Sequence, residues 1–235
     1  MTKKKAIEYF NQTQKDIELL WGSNRNYSIH YGYHDKDHKT HDKALVNMNR
    51  IIAKTAKIKP NSKILDAGCG IGGSAIWLAK NYSTKVVGIN INNMQIEKAK
   101  KLSAKNNVQD LTEFHARDFT DTKQKSNTFD TVWAIESAIF AEKKHSFLKE
   151  SKRILKPGGR IIIADIFKKE DITKKEQHMI DRWLNGWASP NIVSAKEFEK
   201  DLKHAGFKNI ELKNITKNII PSSRRMYLGS IFIYP

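Results

Sequence analysis

The residues best placed for chemistry begin at Asp66. A short apolar run, Ile64-Leu65, ends in this acid, and the chain continues Ala-Gly68-Cys69-Gly70-Ile-Gly72-Gly73 before an apolar, helix-like segment, Ser74–Lys80. A strand, a glycine turn and a helix N-terminus together cradle a nucleotide-like ligand, because glycine lets the backbone approach closely. Gly68, Gly70 and Gly73 satisfy G-x-G-x-x-G, so a dinucleotide is one reading. Asp66 speaks against it, since its carboxylate would face a pyrophosphate at short range. S-adenosylmethionine (SAM) carries an ammonium, a carboxylate and a sulfonium instead. An acid beside the loop suits the ammonium, and helix-terminal N–H groups suit the carboxylate. A plain tight turn in an α/β domain is the remaining alternative.

Other candidate groups lie before and after this loop. His30, His34, His38 and His41 fall within twelve residues. Two of them sit in an Asp/Lys-rich turn and no ligand spacing on a helix emerges, so no metal is expected. Glu136 follows the apolar run Phe129–Ile135, where a carboxyl would be desolvated. Cys69 is the single cysteine, which excludes an intramolecular disulfide and a cysteine-based metal cluster.

The elements that must position these groups alternate along the chain. Residues 1–22 suggest an amphipathic helix through Ile7, Phe10, Ile17, Leu20 and Trp21, followed by a polar, aromatic loop over 23–41. Leu45, Met48, Ile52 and Ala56 mark a helix that closes before Pro60. Strands are expected at Lys63–Asp66, Lys85–Asn90, 111–116, Phe129–Ile135 and Arg160–Asp165, with helices between them. Lys156-Pro157-Gly158-Gly159 forms a hard turn before the last strand. The alternation predicts an α/β, doubly wound, Rossmann-like and mostly parallel sheet with an N-terminal helical cap. The expected division is a helix and lid over 1–41, then one domain over 42–235 with a cap insertion near 168–192.

The chain has 235 residues, 39% hydrophobic, with a formal net charge of +17. No apolar run approaches the roughly 18 residues of a membrane span, and no signal-type apolar region follows the N-terminal lysines. A cytoplasmic protein is therefore expected. The charge admits an anionic partner, yet lysines are dispersed and no aromatic-basic RNA signature occurs, so no specific nucleic acid is expected. Attraction to a membrane surface or an anionic ligand stays open, as does a homodimer.

With these positions in place, the chain resembles the class I SAM-dependent methyltransferases. The resemblance rests on Asp66-Ala-Gly68-Cys69-Gly70-Ile-Gly72, on Phe129-Asp130-Thr-Val-Trp133, and on Leu155-Lys-Pro157-Gly158-Gly159-Arg160. Trp133-Ala-Ile-Glu136-Ser137, Tyr31-Gly-Tyr-His34 and Ile-Ile-Pro221-Ser-Ser-Arg224-Arg225 are similar to the branch that holds sterol, tocopherol and isoprenoid methyltransferases. This implies SAM as cofactor, held by Asp66, Gly68, Cys69, Gly70, Asn90, Ile91, Gln95, Asp118, Phe119 and Ala134. Glu136 would then face the methyl group, and Tyr27, His30, Tyr31 and Phe140, together with Trp183 and Trp187 from the bulky segment 173–190, would enclose a small hydrophobic acceptor. Carbon methylation of an isoprenoid-like compound, with or without a diphosphate, is the first expectation. O- or N-methylation of a phenol or amine, RNA methylation, and SAM binding without catalysis are the alternatives. Two departures stand out. Asn90 occupies the place where the family usually grips the ribose with an acid, and no histidine follows the Glu136-Ser137 pair. Family members commonly add a further helix and a closing strand, which here is either compressed into Tyr227–Tyr234 or missing.

Overall fold

A computed structural model describes residues 3–21 and 25–233, with side chains described as far as Gly229. The first two and twenty-second residues of the expected N-terminal helix, the start of the 23–41 loop and Tyr234 lie outside the described residues. Five strands among the described residues form one parallel sheet: β1 (Lys63–Ala67), β2 (Lys85–Asn90), β3 (Thr112–Ala116), β4 (Phe129–Ile135) and β5 (Leu155–Ala164), in the order β3-β2-β1-β4-β5. Alternation along each strand feeds two cores. Leu65, Val132 and Ala134 face α5 (Lys144–Ile154) and α7 (Ala195–His204) through Phe147, Leu148, Phe198 and Leu202. Ile64 and Trp133 face α2 (His41–Ala56), α3 (Gly73–Tyr82) and α4 (Asn93–Lys105) through Met48, Ile52, Leu78, Ile96 and Ala99. Burial on both faces explains why β4 reads as a nearly continuous apolar run.

The strand order reverses between β1 and β4, which are neighbours although far apart in the chain. In doubly wound sheets the ligand crevice opens at that reversal, beyond the strands' C-terminal ends. Asp66 and the glycine loop leave β1 there, and Glu136 leaves β4 there.

Three segments differ from the expected boundaries. The 156–159 turn is a bulge inside β5: Phe129 pairs with Leu155, and the register then jumps to Thr131 with Arg160. Gly158 takes a positive φ of 76° to make that detour. The region 216–233 is a helix, α8 (Thr216–Ile233), so residues 227–233 form no closing strand. Between them α6 (Lys174–Gly186) opens with a Thr173–Glu176 capping box and buries none of its residues. An isolated bridge between Lys168 and Ser194 pinches the base of this excursion. The N-terminal helix α1 (Lys3–Trp21) lies across the C-terminal ends of the strands and meets α8. Ile17 and Trp21 pack with Leu45 and Met226 to hold it.

Candidate active site

The loop after β1 is shaped by what its glycines lack. Gly68 has φ +83°, and a Cβ there would lie 2.4 Å from Cβ of Ser137. That vacancy lets Ser137 reach across and donate from Oγ to the Ala67 carbonyl at 2.6 Å, tying the loop after β4 to the loop after β1. Gly70, at φ +53°, would point a Cβ into open space, so its backbone borders the crevice unshielded.

Behind the loop is a recess of about 50 Å³ walled by residues 27–30 and 66–74. Three buried polar atoms of its lining have no hydrogen-bond partner: Asp66 Oδ2, His30 Nε2 and Ser28 Oγ. His30 Nδ1 lies 2.9 Å from the Tyr31 carbonyl, which can only accept, so Nδ1 carries the proton and Nε2 presents a lone pair. Burial lowers the His30 pKa to about 4, which keeps the ring neutral. Burial raises Asp66 to about 7. Two acceptors and a hydroxyl around one small space match the N–H donors of a ligand ammonium, whose charge would draw the Asp66 proton off. The residues present therefore fit the amino end of SAM, on their own unmet hydrogen bonds.

A larger cavity of about 300 Å³ continues from Gly68 and Gly70 past Asn90, Ile91 and Gln95 to Asp118, Phe119, Glu136 and Phe140. Helix α1 roofs it with Ile7 and Phe10, and Ala188 and Pro190 close the far wall. Asn90 donates to Gln95 Oε1, and Gln95 donates to Gln14 of α1 at 2.6 Å. Asn92, the N-cap of α4, donates to Asn11, and Lys98 pairs with Glu18. The roof is thus stitched to the ribose side by polar side chains one helical turn apart. Asp118 makes an ion pair with Lys3 and accepts from Thr120 N at 2.7 Å, which is a loop-end cap and a lid contact together.

Glu136, half-buried, lies at the cavity end of β4. It sits at φ +49°, and its Oε1 accepts from Tyr31 N–H at 2.7 Å. Burial, with a smaller push from Asp165, raises its pKa to about 8, and the Tyr31 bond opposes the rise. The carboxyl is therefore protonated at neutral pH until a cation comes beside it.

The structure brings together Gly68, Gly70, Asn90, Ile91, Gln95, Asp118, Phe119, Glu136 and Phe140 on one cavity, and Asp66, Cys69, Tyr27 and His30 on the adjoining recess. Burial holds the Cys69 thiol well above its usual pKa, so it presents a small apolar wall. The remaining expected positions stand back from both spaces. Ala134 is buried inside β4, with its side chain in the α5/α7 core. Tyr31 meets Glu136 through its backbone while its ring stacks toward Trp21. Trp187 packs among Tyr9, Trp21 and Trp183, which carries α6 against α1. The bulky indoles thus brace the roof from outside, because α1 already fills the place over the cavity. Ser28, Ser137 and Lys3 border the site as well, although they are not candidates from the sequence. Only Ser137, directly after Glu136, carried a local signal.

The methyltransferase domain family matches residues 58–219, so the chain belongs to that family. It is a SAM-dependent methyltransferase acting on small molecules. Among its relatives is tocopherol O-methyltransferase of Arabidopsis thaliana, 27% identical across 93% of this chain and 67% of that protein. Sterol 24-C-methyltransferase of Saccharomyces cerevisiae is 30% identical across 89% of this chain and 54% of its own length. A solved structure of geranyl diphosphate methyltransferase with GPP and sinefungin superposes with a TM-score of 0.84 at 18% identity, covering 98% of this chain and 92% of that one. At that identity the likeness speaks for the fold.

Proposed function

We propose that this enzyme methylates carbon in a small hydrophobic, isoprenoid-like acceptor. The observation that carries the reading is Glu136: a half-buried carboxyl of raised pKa that lines the same cavity as Ile7, Phe10, Phe119, Ile135 and Phe140. In this reading Asp66, His30 and Ser28 hold the ammonium of SAM, and Asn90, Gln95 and Asp118 border the nucleoside. When bound, SAM supplies an electrophilic methyl group on a good leaving group. The apolar walls exclude water and hold an acceptor alkene in line, which is where most of the acceleration arises. The alkene's π electrons form the new carbon–carbon bond as the carbon–sulfur bond breaks, leaving positive charge on the acceptor. Glu136 gives up its proton to solvent once a cation lies beside it, and the carboxylate then offsets the acceptor's charge and takes the proton whose loss restores a double bond. Aromatic faces of Phe10 and Phe140 add cation–π stabilisation.

The sterol 24-C-methyltransferase among the relatives supports this acceptor class. The net charge of +17 supports an acceptor with an anionic head such as a diphosphate. We assign residues 1–41 as the lid and 168–192 as the cap of that acceptor's room. No helix among the described residues is long and apolar enough to cross a membrane, and we propose a cytoplasmic setting. Methyl-labelled SAM, incubated with geranyl diphosphate and with a panel of phenols, amines and tRNA, tests the reading. Label on carbon of the isoprenoid is expected, and label confined to oxygen, nitrogen or RNA sinks it.

A further inference from the structure

Beside the acceptor wall lies a buried lysine that the reaction itself does not use. Lys144, the first residue of α5, is 6% exposed. An ammonium taken out of water has to recover its solvation from protein groups. Carbonyl oxygens supply it here: Nζ donates to Ile139 at 2.7 Å, Ala141 at 2.8 Å and Asn191 at 3.3 Å. The arrangement is that of a monovalent cation in a basket of carbonyls.

The basket spans two separate pieces of chain. Ile139 and Ala141 belong to the 3-10 turn Ala138–Phe140 and its exit, while Asn191 lies between α6 and α7. The same pieces are joined twice more, by Asn191 Nδ2 donating to the Glu142 carbonyl at 2.8 Å and Ser189 Oγ donating to that of Ile139 at 3.3 Å. The N–H of Ile139 donates to Asp165 Oδ2 at 2.9 Å, at the end of β5. One residue is thus gripped by an anion at its nitrogen and a cation at its oxygen. Phe140, Ala141 and Glu142 on one piece, and Ala188 and Pro190 on the other, are cavity wall.

We propose that the Lys144 ammonium is a built-in cation that locks the 138–142 turn to the 188–191 segment and so positions the acceptor wall beside Glu136. The proposal rests on the reading of that cavity as the acceptor's room. Charge and donors matter here more than volume, since a methionine stem would fill the same space. Burial lowers the Lys144 pKa to about 8 against the pull of Asp165 and Asp201, so the group is mostly charged at neutral pH.

Hydrogen–deuterium exchange on the SAM-bound protein tests the lock without any acceptor. In Lys144→Met, amides of 138–142 and 188–191 should exchange together roughly tenfold faster or more, as local opening becomes easier. SAM affinity by calorimetry should stay within about twofold, because the recess around Asp66 is untouched. Lys144→Ala should loosen the same two pieces, and n-propylammonium, the fragment that substitution removes, should restore protection in it but not in the methionine variant. If Lys144→Met does not fold, refolding Lys144→Ala with and without the amine decides the same point. Wild-type exchange in Lys144→Met, loosening of one piece alone, a parallel loss of SAM affinity, or no recovery with the amine overturns the proposal. A failed labelled-methyl experiment would remove the isoprenoid reading and leave this result standing.

Discussion

The donor and acceptor sides of the cavity are built by opposite means. On the donor side most groups leave two neighbouring strand ends, Asp66, Gly68 and Gly70 one and Asn90, Asn92 and Gln95 the next, and only Ser28 and His30 come from a distant loop. Their chemistry is polar and unmet, with Asp66 Oδ2, His30 Nε2 and Ser28 Oγ lacking partners. On the acceptor side, contacts join distant segments. Tyr31 N–H reaches Glu136 across 105 positions, Phe10 packs edge-on to Phe140 at 5.7 Å, and Asn191 holds Glu142. The walls there are largely apolar around Glu136, a carboxyl held near a pKa of 8. A cofactor common to many reactions is met by backbone shape and fixed acceptors, whereas the acceptor is met by whichever segments pack over the sheet.

The two sides can be broken separately. Glu136→Gln keeps an oxygen for the Tyr31 N–H but removes the base, so turnover of the acceptor found with labelled SAM should drop by about 10²–10⁴. SAM affinity should hold within about twofold. Wild-type turnover would take Glu136 out of the chemistry. Asp66→Asn strikes the donor side instead. Losing a charge-assisted hydrogen bond costs about 1.5–3 kcal/mol, which is roughly 10- to 100-fold in SAM affinity by calorimetry. Turnover at saturating SAM should change little. An unchanged dissociation constant would place the ammonium elsewhere.

That contrast also explains what the sequence made legible. The five strands and the Asp66–Gly73 turn could be read because each is a contiguous pattern whose period or glycine content states its own geometry. Glu136 could be singled out because an acid at the end of an apolar strand is locally conspicuous. Trp183 and Trp187 were expected around the acceptor from bulk alone, yet they brace α1 from outside. Their place depends on how α6 and α1 meet, which no local pattern encodes. Lys144 was hidden for the same reason: a lysine at a helix start reads as solvated surface until a distant carbonyl, that of Asn191, closes over it.

Acidity sharpens the comparison further. In the free protein burial holds Asp66 near pKa 7, so at pH 6 it is mostly protonated. Beside a bound ammonium it must ionise, so binding releases a proton. SAM affinity should accordingly rise by at most about tenfold per pH unit up to roughly pH 7 and level off above it. Calorimetry at pH 6 in buffers of different ionisation enthalpy should show a proton released on binding. Asp66→Asn should flatten the affinity curve, whereas Glu136→Gln should leave this part of it in place. A pH-independent wild-type affinity between pH 5.5 and about 7 would contradict the buried, protonated Asp66.

The smallest effect is expected at the seam between lid and donor side. Gln14 of α1 is buried, accepts from Gln95 Nε2 at 2.6 Å and donates to Glu18 at 2.7 Å, while Gln95 in turn accepts from Asn90. Gln14→Ala leaves the buried Gln95 amide without that acceptor, at about 1–2 kcal/mol, part of which water entering under the loosened lid recovers. The expected result is a SAM affinity weaker by about five- to tenfold, arising in a faster dissociation rate because the roof opens more readily. If dissociation of SAM is unchanged in Gln14→Ala, α1 serves the acceptor alone, and the donor side is complete without its lid.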